Sequence, residues 1–205
     1  MLKLAGEVIE GQLADHQVEL DAHTRDAEEI IKPGQYDLGG YHSTFSTIAV
    51  AADRIHAIPF HVSRKRTYQY AAIYVTVAGS AGKKAKLGIY ADDGTILPGA
   101  LIEDWGEVAI DSTGLKVIDI TDRQLDKELY WVVMHTEDTF TLRSRTASSF
   151  SPLGVRSTGG AALGGVEGGY FKDTAYAVLP DPLMGLAALG SLPFINIALM
   201  VKSND

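Results

Sequence analysis

The stretch 71-AAIYVTVAGSAGKKAKLGIYADDG-94 contains two short runs in which apolar residues alternate with polar or small ones. The apolar positions are Ala71, Ile73, Val75 and Val77 in the first run and Ala85, Leu87 and Ile89 in the second. This period of two is typical of strands, because successive side chains of a strand point to opposite faces. Residues 79–82 and 92–94 are rich in Gly, Ser and Asp, which favour turns. The stretch therefore predicts two strands separated by a polar turn.

The same alternation recurs on both sides of this stretch. The further predicted strands lie near residues 48–52, 58–62, 115–120, 129–135, 140–142 and 195–201. Pro59 places its strand near a sheet edge or a bulge, because proline has no N–H to give to a ladder. Turn signals at residues 98–99 and 112–114 separate other runs. This pattern predicts an all-β fold, an antiparallel and jelly-roll-like β-sandwich over residues 37–205.

Residues 151–169 interrupt the strand pattern. They contain seven glycines and little that anchors a core. We expect this segment to be a long surface loop, or an arm that becomes ordered only against a neighbouring subunit.

Residues 1–36 differ from the rest, and we interpret them as an attachment segment that carries a short α-helical stalk. Residues 13–31 contain no Gly or Pro, and Pro33 with Gly34 ends the helical pattern. Apolar residues and histidines follow heptad spacing at Leu13, His16, Leu20, His23, Ala27 and Ile30. In a coiled coil these six residues form the seam between copies of the chain. The alternative is a single amphipathic helix that lies against its own domain.

The two histidines of this pattern, His16 and His23, are seven residues apart and share a helix face. In a parallel trimer each forms a ring of three imidazoles, which either holds a metal ion or an anion or only sets the register. In a monomeric helix both are ordinary surface histidines. Because two of these three alternatives involve no ion, we predict no metal site and no cofactor.

Charge and composition restrict the classes of partner. The formal net charge of −8 argues against a nucleic-acid partner, because such proteins concentrate Lys and Arg on one face. The basic cluster at residues 64–66 is interpreted as a solvated turn. The chain has no cysteine, so disulfides, thiolate nucleophiles and cysteine-based zinc sites are excluded.

Neither end of the sequence has the pattern of a membrane segment. The first residues lack a basic start followed by a long apolar run, so we expect no signal peptide. Residues 183–201 carry no formal charge and have the length of a membrane span. Their second half alternates with the period of a strand, so we expect no membrane insertion.

The nucleophile-elbow, phosphate-loop and zinc-protease patterns are all missing from the sequence, and we expect no enzymatic activity. Asp92, Asp93 and Asp104 invite comparison with a calcium corner. Their spacing matches no calcium loop, and Asp-Asp-Gly is ordinary turn sequence.

Aromatic residues raise the question of sugar binding. Trp105, Tyr68 and Tyr70 are the candidates for contact with a glycan, since exposed rings on a sandwich face can stack on sugars. Tyr68, Tyr70 and Tyr74 are predicted to share one strand face, and such a stripe is more often the packing surface of a neighbouring layer or subunit. A carbohydrate-binding β-sandwich module is therefore the alternative function.

Four segments form one set along the predicted strands and turns, namely residues 57–60 (AIPF), 87–94 (LGIYADDG), 98–101 (PGAL) and 129–133 (LYWVV). Together they resemble the sandwich domains of bacteriophage fibre, tail-appendage and head-decoration proteins. The helix over residues 13–23 is similar to the short histidine-containing stalks that join phage fibre domains. The resemblance covers roughly residues 13–135.

The resemblance implies a structural virion protein that is assembled in the cytoplasm of a host bacterium. It implies a homotrimer that attaches to other capsid or tail proteins through its N-terminal segment. Adhesion at a host-surface glycan is compatible with such a protein and is left open by the sequence. Because the sequence has no long repetitive shaft, a head fibre, a decoration protein or a short tail appendage fits better than a full-length tail fibre.

Overall fold

The computed structural model of the chain describes residues 31–39, 45–145, 155–157, 163–166, 168–189 and 194–204. Residues from Pro33 onward form one compact unit. The strands in chain order are β1 (Tyr36–Asp37), β2 (Phe45–Val50), β3 (Arg54–His61), β4 (Arg66–Val77), β5 (Lys84–Asp92), β6 (Pro98–Ala109), β7 (Gly114–Leu125), β8 (Leu129–Thr136), β9 (Phe140–Arg145), β10 (Val155–Ser157), β11 (Leu163–Val166), β12 (Tyr170–Asp173), β13 (Ala187–Ala188), β14 (Phe194–Ile195) and β15 (Ala198–Asn204).

The strands form two main antiparallel sheets, which confirms the prediction of an all-β fold. Sheet I has seven strands in the order β1-β15-β4-β9-β14, with β7 added beside β4 and β2 beside β9. Sheet II has six strands in the order β13-β12-β3-β8-β5-β6. The rings of Phe60 on β3 and Tyr68 on β4 meet edge to face at 5.8 Å, and they join the inner faces of the two sheets in the core.

The predicted strands are present, with corrections at their ends. The alternation at Ile195, Ile197, Leu199 and Val201 does bury these side chains, but the run is divided between β14 and β15. The pairing of β3 with β12 ends at Ala57, and Pro59 lies beyond this point. The missing N–H of Pro59 therefore interrupts no hydrogen bond between β3 and β12.

Three expectations about strands and loops were incomplete. Residues 98–99, predicted as a turn, begin the twelve-residue strand β6. The glycine-rich segment 151–169 is not wholly without regular structure, because β10 and β11 pair within it as a separate two-stranded sheet. The short strands β1, β12 and β13 have no counterpart among the predicted ones.

The outer face of sheet II is covered by the chain itself. Residues 174–186, here called the covering segment, connect β12 to β13. Leu179 and Leu183 of this segment pack on buried side chains of the outer face, namely Ile55, Ala57, Tyr90, Trp131 and Val133. Leu179 packs directly on Gly88. A Cβ at residue 88 would collide with the Leu179 Cδ1 and would lie 2.8 Å from the Glu103 carbonyl oxygen. Both faces of the central strands β3 and β8 of sheet II are therefore buried.

Hydrogen bonds fasten the covering segment along its length. The backbone N–H of Tyr176 donates to the Asp53 carboxylate at 2.9 Å. The hydroxyl of Tyr90 donates to the carbonyl oxygen of Pro180 at 2.6 Å. The carboxylate of Asp181 accepts from the backbone N–H of Leu101 at 2.9 Å. These contacts join residues that are far apart in sequence, so the segment is part of the tertiary structure and not a free loop.

Candidate functional site

The outer face of sheet I carries exposed aromatic and apolar side chains. Strand register places them together, because Tyr70 of β4 lies opposite Met200 of β15, which lies opposite Tyr36 of β1. On the other side of β4, Tyr74 faces Leu115 of β7 and Ala72 faces Val117. We call this surface the tyrosine face and define it by Tyr36, Phe45, Tyr70, Tyr74, Leu115, Val117, Arg143 and Met200.

Arg143 on β9 binds the aromatic rings at one end of the tyrosine face. Its guanidinium carbon lies 4.4 Å from the ring centre of Tyr74 and 5.6 Å from that of Phe45. Guanidinium groups stack favourably on aromatic faces while they keep hydrogen-bonding capacity at their edge. The arrangement therefore presents a positive charge that is held in place within an apolar surface.

Exposure distinguishes this face from that of sheet II. Phe45 is 56% exposed, Leu115 51% and Val117 42%. Tyr36 and Tyr70 both lie opposite Met200, on either side of β15. Burial raises the pKa of the Tyr36 hydroxyl, and the neighbouring Tyr70 raises it further. Exposed apolar side chains grouped in this way are typical of interaction surfaces.

A buried polar network lies directly behind the tyrosine face. Whereas Tyr36 points outward, the carboxylate of the next residue, Asp37, points inward. It accepts from the Tyr68 hydroxyl at 2.9 Å, from Arg66 Nη1 at 3.2 Å and from the backbone N–H of Gly39 at 2.8 Å. The Arg66 Nε also donates to the Asn204 side-chain oxygen at 3.0 Å. The network therefore ties β1 to β4 and β15.

Burial dominates the electrostatics of this network. It raises the pKa of Asp37 although Arg66, Tyr68 and Gly39 all act to lower it. It also raises the pKa of Tyr68, to which Asp37 adds. The nearby Arg145 donates to the carbonyl oxygen of Leu38 at 3.1 Å, and burial lowers its pKa to about 10. These charged groups hold each other in the interior, since an unpaired buried charge is costly.

A second polar cluster lies under the covering segment. The rings of His135 and Tyr176 are 5.0 Å apart, and the Tyr176 hydroxyl donates to Glu107 at 2.9 Å. His135 Nε2 lies 3.2 Å from the carbonyl oxygen of Thr174, and burial lowers the pKa of its imidazole. Burial and Glu107 both raise the pKa of Tyr176. The contacts of this cluster hold the covering segment on sheet II.

The structure places the three candidate glycan residues apart. Tyr68 is fully buried, and Trp105 is also buried. The prediction that Tyr68 shares a face with Tyr70 and Tyr74 is wrong, because a β-bulge at Gln69 reverses the alternation of β4. Tyr70 remains half-exposed on the tyrosine face.

The predicted helix and its seam lie outside the described residues, as do His16 and His23.

The three carboxylates considered for calcium each accept hydrogen bonds from nearby groups. Asp92 accepts from Gly94 N–H and Trp131 Nε1–H, Asp93 from Thr95, and Asp104 from Gly106 N–H. Within the described ranges, no group of three or more His, Asp or Glu side chains is arranged to hold a metal ion. The same ranges contain no helix that is long and apolar enough to cross a membrane.

The tyrosine face as a whole was missed from the sequence, although one signal for it was present. Strand β7 carries apolar residues on both faces, with Leu115 and Val117 outward and Ile118 and Ile120 inward. A strand that is apolar on both sides is typical of a sheet covered on both faces. No such signal marks Arg143, because its stacking depends on rings that come from two other strands, β2 and β4.

Comparisons with protein-family models, with curated proteins and with solved structures found no match for this chain.

Proposed function

We propose that this chain is a structural protein of a bacteriophage particle, a head fibre, a decoration protein or a short tail appendage, and that it acts as a homo-oligomer without catalytic activity. In this proposal residues 13–31 form a helical stalk that joins three copies, and the N-terminal segment attaches them to capsid or tail proteins. Assembly takes place in the host cytoplasm. We also propose that the strands of the sandwich are connected in a jelly-roll-like manner.

The observation that carries this proposal is the contrast between the two outer faces. Sheet II is covered by residues 174–186 of its own chain, whereas sheet I exposes an aromatic and apolar surface. A sheet face of this kind gains stability by packing against another layer. A protein that functions within an assembly has such a layer in its neighbours.

The arrangement of the resembling segments also supports the proposal. Residues 57–60, 87–90, 98–101 and 129–133 fall on β3, β5, β6 and β8. These four strands are consecutive neighbours in sheet II, in the order β3-β8-β5-β6. The resemblance therefore follows one continuous structural unit and not scattered turns.

The alternative, a carbohydrate-binding module, has less support. Two of its three rings, those of Tyr68 and Trp105, are buried, which leaves Tyr70 as the candidate for stacking on a sugar. Adhesion to a host glycan through Tyr70 stays a secondary proposal, and loss of glycan-array binding on Tyr70→Ala would support it.

The experiment that tests the main proposal is the solution mass of the full chain and of a chain that begins at Pro33, by light scattering after size exclusion. We expect a trimer for the full chain and a smaller species for the shortened one. A full chain that is monomeric at all concentrations would refute the homo-oligomer and the stalk together.

A further inference from the structure

We propose that the tyrosine face is the surface through which copies of this chain contact one another, with the Arg143 end of one copy against the Asp119 end of the next. This inference rests on the proposed function, because it takes the homo-oligomer as given and names the surface that the sandwich domains use.

The composition of the tyrosine face favours a protein partner. Tyr, Phe, Met and Arg are enriched at the centres of protein interfaces, and the tyrosine face combines all four. It also exposes the aliphatic side chains of Leu115 and Val117, which offer nothing to the hydroxyl groups of a sugar. The surface thus resembles the core of an interface more than a sugar platform.

The charges of the face are complementary between its two ends. Arg143 lies at the end marked by Tyr74, and Asp119 is directly opposite Tyr70. Tyr70 and Tyr74 are four positions apart on β4, a distance of about 13 Å. Among the described residues, no carboxylate forms an ion pair with Arg143, and Asp119 accepts one hydrogen bond, from the Thr121 N–H at 2.9 Å. The two charges are too far apart to satisfy each other within one chain.

A second copy of the chain resolves this arrangement. When the tyrosine faces of the copies turn toward a shared axis, the Asp119 end of the second copy meets the Arg143 end of the first, and the aliphatic and aromatic side chains near the axis are buried. A closed ring of three copies repeats this head-to-tail contact at every interface, so every Arg143 meets an Asp119. Because the net charge is −8, copies repel one another at long range, and a local cation on the shared face offsets part of that repulsion.

Thiol labelling of the full chain can test the proposal, because the sequence has no cysteine. Val117→Cys places a thiol on the face, opposite Ala72 and so between the levels of Tyr70 and Tyr74. Val178→Cys, on the covering segment, is the matched control. In the isolated chain these positions are 42% and 74% exposed. At a concentration where light scattering gives an oligomer, we expect Val117→Cys to react with a maleimide at least about tenfold more slowly than Val178→Cys, since an interface core excludes water.

Charge reversal then identifies the neighbour. Adding Arg143→Asp or Asp119→Arg to Val117→Cys should raise the labelling rate by about tenfold, because like charges then meet at each contact. The double reversal should restore protection. Arg143→Lys, which keeps the charge, and Asp119→Asn, which keeps an acceptor for Thr121 N–H, separate the charge effect from local damage.

Each outcome decides between the alternatives. Protection that depends on concentration and returns in the double reversal supports contact between copies. Fast labelling of Val117→Cys in a chain that is oligomeric overturns this inference and leaves the proposed function standing. Protection that persists in dilute, monomeric chain overturns it as well, since the cover then comes from the same chain. A chain that is monomeric at every concentration refutes the proposed function itself.

Discussion

Removal of the Leu179 side chain should weaken the whole sandwich, although the residue belongs to an irregular segment. Leu179 is 5% exposed and packs on Tyr90 and Trp131, whereas its neighbour Val178 is 74% exposed. Transfer of the isopropyl group that Leu179→Ala removes is worth about 2–3 kcal/mol. The cavity left on sheet II brings the expected loss for Leu179→Ala to about 3 kcal/mol. A chain of this size should then lose about 6–12 °C in Tm.

The assay is urea unfolding followed by tryptophan fluorescence, which reports on Trp131 directly beneath the covering segment. Val178→Ala is the matched control and should change the free energy of unfolding by less than about 0.5 kcal/mol. Equal effects of the two substitutions, or a loss below about 1 kcal/mol for Leu179→Ala, would refute the description of residues 174–186 as an integral layer of the fold.

Gly88 offers an independent check on the same contact. A Cβ at this position collides with Leu179, so Gly88→Ala should cost about 1–3 kcal/mol through overpacking. In the double variant with Leu179→Ala the collision is relieved, although the close approach to the Glu103 carbonyl oxygen remains. The two losses should therefore fall short of additivity by about 1 kcal/mol. Strict additivity would mean that the side chains do not meet.

The remaining predictions concern buried polar groups. Asp37→Asn leaves Arg66 without its carboxylate partner in the interior and should cost about 3–5 kcal/mol in urea unfolding; a loss under about 1 kcal/mol would contradict the network. Burial lowers the pKa of His56 to about 4, so its neutral form is preferred in the folded state. The stability that neutral His56 contributes should be present above about pH 6.5 and fall by about 3 kcal/mol between pH 6.5 and 4, where the unfolded chain takes up a proton at this position and the folded chain does not. The difference between wild type and His56→Leu isolates this effect, and a parallel pH profile of the two proteins would refute it. Asp92→Ala removes the acceptor of the Trp131 Nε1–H, now at 2.9 Å, and should cost about 1–3 kcal/mol in thermal unfolding, whereas an unchanged Tm would show that the bond adds nothing.

Strands with strict alternation could be predicted from the sequence, because a period of two places their apolar side chains on one face and so identifies the buried side. The prediction failed at β6, where acidic residues stand among the apolar ones and several register shifts against β5 interrupt the period of two. It also failed at Tyr68, since a single extra residue in a bulge reverses every side chain that follows. Such irregularities are decided by the partner strand, and a local pattern does not contain them.

The covering segment could not be predicted for a different reason. Its buried residues, Leu179 and Leu183, follow no strand period, and their partners lie on β3, β5 and β8. Nothing within residues 174–186 marks these two leucines as core and Val178 as exposed. The candidate site shares this property, because the tyrosine face joins side chains from β1, β2, β4, β7, β9 and β15.

The two-residue strand β1 links the interior of the sandwich to the tyrosine face. Tyr36 contributes its ring to the surface, while the adjacent Asp37 is held by Arg66 and Tyr68 in the core. A strand this short has little stability of its own, so the position of the Tyr36 ring depends on the buried network behind it. At the next turn, Gly39 has a φ of 70° and comes so close to Phe60 that a Cβ would lie 2.8 Å from its Cα. The chain therefore enters sheet I along a path that polar bonds and close packing both fix. The same fixation is what a surface needs if copies of the chain are to meet on it with their charges in register.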